Sequence, residues 1–144
     1  MYIPSWGDSA VTGDARIDAE HRKLYMEVDQ LLAAMNRGRE AEAVQQSLSF
    51  LADHVRNHFR EEERLHRMVE APGFEAHAAA HRQLAEEVEA LVRRHRQEGM
   101  TPALELHLLN GVIRGFIEQI HSHDVPLARH IQEQQRALVQ EGGQ

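Results

Sequence analysis

At 144 residues the chain is long enough for one buried core and short for two, so a single domain spanning residues 1–144 is expected. It has no cysteine, which excludes disulfides, iron–sulfur clusters and thiolate zinc, and leaves nitrogen and oxygen as the donors for any iron, manganese, copper or zinc. Its 23 acidic residues outnumber 16 basic ones for a formal net charge of −7, and the basic residues are interspersed with acidic ones, so nucleic acid is not an expected partner.

In chain order, the opening "MYIPSWGDSA" lacks the basic-then-apolar order of a secretory leader, and no apolar run approaches the ~20 residues that cross a bilayer. The expectation is a cytoplasmic protein with no membrane partner. Residues 1–17 form a non-helical arm, with Tyr2, Ile3 and Trp6 expected to pack across the body. A first helix follows over about 18–36, with Asp18 as N-cap and Leu24, Val28, Leu31, Leu32 and Met35 inward. After Gly38 a second runs over about 40–70, carrying Val44, Leu48, Leu51, Val55, Phe59 and Leu65 on one side. Pro72-Gly73 separates it from a third, about 74–98, with Leu84, Val88, Leu91 and Val92 inward. Gly99 ends that helix, and Thr101 caps a fourth over about 101–140, with Pro102 at its first position. Short connections force each helix back along the last, which predicts an all-α, up-down-up-down antiparallel four-helix bundle. There is no strand signal.

Eleven histidines in a chain with 5% aromatic residues need an explanation. In "NHFREEERLH", His58, Glu62 and His66 are four apart, which stacks them on one helical stripe climbing ~6 Å per step, so two imidazoles with a carboxylate between them can span two metal ions. The third helix opens with "HAAAH", where His77 and His81 are spaced to share a metal and the small alanines let a neighbouring helix approach. "IDAEH" puts His21 one turn into the first helix, and "IHSHDVP" puts Asp124 in the fourth. Every helix thus presents a nitrogen or a carboxylate. Burying this set without a cation would leave charge and imidazoles in want of partners.

These residues resemble the bacterial hemerythrins over almost the whole chain. The family's opening Trp, its turn and its I-D-x-x-H helix start correspond to Trp6, "VTG" at 11 to 13 and "IDAEH"; its H-F-x-x-x-E is His58-Phe59 with Glu62; its H-x-x-x-H is His77 and His81. Of its H-x-x-x-x-D only the aspartate is present, as Asp124. The resemblance implies two iron ions with an oxo or hydroxo bridge that bind O2 reversibly. It further implies that Glu62 and Asp124 bridge the irons, that His21 and His58 serve the O2-binding iron, and that His77 and His81 serve the other.

Five residues before Asp124 stands Gln119, where the family has a third histidine on the second iron. Gly115 stands where the family usually has a pocket Trp, and His66 where it usually has a Met. Once His58 and Glu62 are taken as ligands, the stripe carries His66 to the second iron, so the preferred expectation is that the missing nitrogen has moved from Gln119 to His66. Gln119 through its amide oxygen, His121, His123 and a water are the competing candidates. Leu24, Phe59, Ile120 and Gly115 are expected around the pocket. His54, one turn before His58, fits either a hydrogen-bond partner of a ligand or an ordinary polar position. His95, His107 and His130 are read as surface residues, and Met26, Met35 and Met68 as core filler.

The primary functional expectation is a monomeric non-haem protein for O2 binding, delivery or sensing, with O2 or another small diatomic or anionic ligand as its partner and no catalytic residue. The first alternative is a di-iron enzyme reacting with peroxide, NO or O2, because Gly115 makes room at the remodelled iron. The second is an iron-buffering or structural bundle.

Overall fold

The computed structural model describes residues 11–38 and 41–142. Four antiparallel helical rods make up this region, with no strand among the described residues. The first three are α1 (Ala15–Asn36), α2 (Ala41–Met68) and α3 (Phe74–Glu98). The fourth rod is continuous: α4 (Pro102–Leu106), a π-helical segment His107–Ile113, α5 (Arg114–Gln119), a second π-helical segment Ile120–Asp124, and α6 (Val125–Gly142). No helix among the described residues is long and apolar enough to cross a membrane. The packing expected of Tyr2, Ile3 and Trp6 lies outside the described residues.

Helix ends follow the capping chemistry of the sequence, with one correction. Asp14, not Asp18, caps α1: its Oδ1 accepts from the backbone N–H of Arg16 and Ile17, both at 3.0 Å. Asp18 turns back instead and accepts from Thr12 N at 2.7 Å and Gly13 N at 3.1 Å, which ties the preceding strand of chain to the first turn. Residues 15–17 are therefore helical, not part of the arm. Thr101 caps the fourth rod through Oγ1 to Leu104 N at 3.0 Å, with Pro102 at the first helical position.

The α2–α3 connection is a Schellman turn. Glu70 takes the left-handed conformation at φ 53°, Glu70 N donates to Arg67 O at 3.1 Å, and Ala71 N donates to His66 O at 3.3 Å.

Two apolar clusters sit along the bundle axis. The larger joins Leu24 to Met35 of α1, Val44 to Phe59 of α2, Leu84 to Val92 of α3 and Leu104 to Phe116 of the fourth rod. The smaller joins Ile17, Leu127, Ala128 and Ile131, with Leu65 packed against it. Each fully buried Leu or Val contributes ~1.5–3 kcal/mol relative to exposure, so these layers fix the helices against one another. Of the three methionines expected in the core only Met35 is buried. Met26 and Met68 are exposed, because both fall on the outward side of their helices.

Candidate metal centre

Between the two clusters each rod contributes polar side chains to one buried layer. On α1, His21 lies one turn beyond Ile17 and just before Leu24. On α2, His58 and Glu62 continue the inward stripe of Val55, and on α3 His77 and His81 precede Leu84 by the same spacing. All five are buried, as are Gln119 and Asp124 of the fourth rod.

The fourth rod solves a problem of register. Residues five apart lie about 140° apart around an α-helix, so Gln119 and Asp124 would face different neighbours. The π-helical turn Ile120–Asp124, whose hydrogen bonds join residues five apart, returns them to one side. Gln119 Nε2 then donates to Asp124 Oδ1 at 2.6 Å. Pro126, which has no N–H to give back to the ladder, stands just beyond this turn.

Two donor groups result, His21, His58 and Glu62 in one and Glu62, His77, His81 and Asp124 in the other, with donor atoms of each group within 4.8 Å of one another. Each carboxylate divides its oxygens between the groups. Glu62 Oε1 lies 2.9 Å from His77 Nε2 and 3.1 Å from His81 Nε2, while its Oε2 faces His58 Nε2 at 3.4 Å and His21 Nε2 at 3.7 Å. Asp124 Oδ1 is 2.8 Å from His77 Nε2, and its Oδ2 is 2.9 Å from His21 Nε2. Gln119 Nε2 completes the second group at 3.0 Å from His77 Nε2 and 3.1 Å from His81 Nε2.

Electrostatics set the protonation of this layer. Burial disfavours a charged His21, but hydrogen bonds and charge from Asp124 and Glu62 outweigh it and raise His21 to about 10. The same balance raises His77 to about 9. Burial opposes ionisation of Glu62 too, yet its hydrogen bonds from Asp124 and the histidines hold it well below the usual carboxylate range. Asp124 is pushed up by burial and by the neighbouring Glu62 charge.

The residues fit a cation. His58 Nε2 and Glu62 Oε2 are buried and make no hydrogen bond, an expensive arrangement that a positive ion held by His21, His58 and Glu62 would relieve. The donors are imidazole nitrogen and carboxylate oxygen, a set that suits iron, manganese or zinc. Two outer contacts orient the ligand rings. His81 Nδ1 donates to Glu63 Oε2 at 2.9 Å, and Phe59 stacks on His81 with ring centroids 4.0 Å apart. Sequence reasoning passed over Glu63. Its signal was the need of a ligating imidazole for an acceptor on its second nitrogen, met by one member of the "EEE" run at 61 to 63.

His66 departs from its expected place. It is buried but in neither donor group, because both ring nitrogens are engaged elsewhere: Nδ1 with His77 Nδ1 at 2.9 Å, and Nε2 with the carbonyls of Ala71 and Pro72, each at 3.0 Å. The residue that reaches the second group is Gln119. Its amide exchanges oxygen for nitrogen by a half-turn, so the same position can offer Oε1 to a cation. His123 is half-buried and stacks on the His77 ring at 5.2 Å, outside both groups, and His121 is exposed. His54 serves no ligand, since its Nδ1 pairs with Glu27 at 2.7 Å. His95 is buried, not a surface residue: its Nδ1 donates to Gln45 Oε1 at 2.7 Å, and burial pushes its pKa down. His107 and His130 are half-buried, bonded to Glu87 and to Val69 O at 2.9 Å each.

Leu24, Phe59 and Ile120 are buried. A cleft of about 390 Å³ reaches His58 and Glu62 past Arg16, Ile17 and His54. A second, of about 440 Å³, reaches Gln119 past Gly111, Gly115 and Leu84. Space beside Gly115 is thus open to Gln119 and His123 and is not filled by His66.

No curated protein and no solved structure gives a significant match to the chain. A family model described as the Hemerythrin HHE cation binding domain matches residues 12–140, a span that holds every residue of both donor groups. The chain belongs to the hemerythrin HHE cation-binding family, and its buried histidine and carboxylate layer supplies two sets of donors spaced to hold metal ions.

Proposed function

We propose that the chain is a non-haem di-iron protein that binds O2, for delivery or sensing, at an iron pair bridged by Glu62 and Asp124. The observation that carries this reading is the division of each carboxylate's oxygens between two donor groups, which is what a bridge between two cations requires. An iron pair, when bound, supplies the electrons and the open coordination position that O2 needs. His21 and His58 would hold one ion with Glu62; His77 and His81, with Gln119 beside them, would hold the other. Leu24, Phe59 and Ile120, all buried, supply the apolar side of the layer. The protein acts as a cytoplasmic monomer, and its partner is O2 or a small diatomic or anionic ligand.

A second reading, a di-iron enzyme turning over peroxide, NO or O2, is favoured by one feature: the cleft beside Gly115 gives solvent and small molecules a route to Gln119 at the second donor group. Metal analysis with an absorption spectrum tests both. Iron-loaded protein should hold about two irons per chain, given two donor groups of three or more ligands. After reduction and exposure to air, an oxygenated spectrum that persists supports carriage, while decay to the ferric form within seconds supports the enzyme. Metal content near zero defeats both.

A further inference from the structure

His66 is held by two sets of partners that, for a neutral ring, set the arrangement of its hydrogens. Its Nε2 lies 3.0 Å from the carbonyl oxygens of Ala71 and of Pro72. Carbonyls only accept, so Nε2 carries a hydrogen and is shared between them. A neutral imidazole with its hydrogen on Nε2 has a bare lone pair on Nδ1, and that atom faces His77 Nδ1 at 2.9 Å. Two facing ring nitrogens hold one hydrogen between them. It therefore belongs to His77, whose Nδ1 donates. The opposite nitrogen, His77 Nε2, is the one aimed at Glu62 Oε1 and Asp124 Oδ1.

We propose that His66 is a positioning residue that orders the hydrogens along Ala71 and Pro72 carbonyls, His66, and His77, and so presents the Nε2 lone pair of His77 to a metal. The proposal rests on the reading of His77 as a ligand of the second ion.

The backbone builds the acceptors for this purpose. The Schellman turn that ends α2 bonds Ala71 N to the carbonyl of His66 itself, and the left-handed Glu70 swings the chain back so that the next two carbonyls meet the His66 ring. The Phe74 ring stands edge-on to His66, with centroids 5.6 Å apart and planes at 89°. A half-turn of the His66 ring would put carbon against both carbonyls and against His77, which fixes its orientation. His66 is buried, with Ala71 and Pro72 beside it at the wall of a cleft of about 350 Å³. A methionine at 66 would fill the same space and accept nothing of comparable strength from His77.

The test compares His66→Met with His66→Gln in the full chain, because Gln can accept from His77 through Oε1 while donating to the carbonyls through Nε2, and Met cannot. Iron is loaded into each protein, and metal per chain, the rate of removal by a chelator and the visible spectrum are recorded, with thermal melting of the metal-free forms as a check on folding. Orienting partners of metal ligands are typically worth ~10–100-fold in affinity, so His66→Met should release one of the two ions ~10–100-fold faster and shift the spectrum. His66→Gln should restore retention and spectrum towards the parent. If His66→Met holds both ions as the parent does, the positioning role is wrong. If His66→Gln loses the ion as fully as His66→Met, the imidazole acts as a direct ligand or as packing, and the proposal fails. A parent chain that takes up no metal defeats the underlying reading instead, which separates the two failures.

Discussion

The two halves of the donor layer share Glu62, are both reached by Asp124 oxygens, and differ in how they are built. The half on α1 and α2 collects three donors, His21, His58 and Glu62, and its cleft opens onto His58 and Glu62 themselves. The half on α2, α3 and the fourth rod collects four, sets the Gln119 amide among them, and is braced by Glu63 behind His81 and His66 behind His77. Fewer donors leave more coordination positions to an outside ligand, and more bracing holds the ion more firmly. The difference teaches that similar donor atoms can make an exchanging position and an anchoring one a few ångströms apart, according to what stands behind them.

Breaking the comparison altogether has the largest expected effect. Glu62 belongs to both halves, so Glu62→Ala should drop iron from about two per chain to near zero, whereas His21→Ala and His77→Ala should each remove about one. Metal analysis of the three variants checks this, and a Glu62→Ala protein that keeps one full equivalent would mean the halves are independent.

A smaller effect sharpens the contrast. Gln119→His should give the second half another imidazole and slow its metal release by ~10–100-fold, leaving the first half as it was. Chelator kinetics resolve the two ions. An unchanged slow phase would show that the amide position does not face the ion.

The smallest effect is the pH response of the metal-free protein. His21 at about 10 and His77 at about 9 stand above the ordinary 6.5, because Asp124 and Glu62 outweigh the cost of burial. A folded-state pKa above the unfolded one means that the native protein holds the proton more tightly. The stabilisation is therefore complete below about 6.5 and is lost as pH climbs through 9 and 10. Melting temperature of the metal-free form should fall over that window, and a flat profile would contradict the charge balance. Loaded protein should show a weaker slope, since the cation has replaced those protons, and its loading near neutral pH should release them.

Much of this was legible in the sequence. The inward stripes from Leu24 to Met35 and from Val44 to Phe59 have helical period, Thr101-Pro102 names its own helix start, and His58 with Glu62 or His77 with His81 shares a face by spacing alone. Elsewhere periodicity was silent. It carried His66 along the stripe of Glu62 but could not reveal that the chain folds back at Glu70 and offers two carbonyls to that ring. It could not choose between Asp14 and Asp18 as cap, because both are good caps and the choice depends on how Thr12 and Gly13 lie. Nor could it tell that His95 is buried, since its partner Gln45 is fifty positions away.

The π-helical turn at Ile120–Asp124 has a consequence for length as well as for geometry. It packs one more residue into its turn than an α-helix would, and the extra residue is absorbed locally, so α6 leaves the turn with Leu127, Ala128 and Ile131 still facing Ile17. Deleting a single residue there, for instance Ser122, would relax the turn to ordinary α-helix, keep that apolar register, and leave Gln119 and Asp124 four positions apart, about 40° around the helix and still on one side. In genetic terms the turn absorbs one codon more than an α-helix of the same rise would need, so a one-codon change of length here is taken up within a single turn instead of rotating everything beyond it.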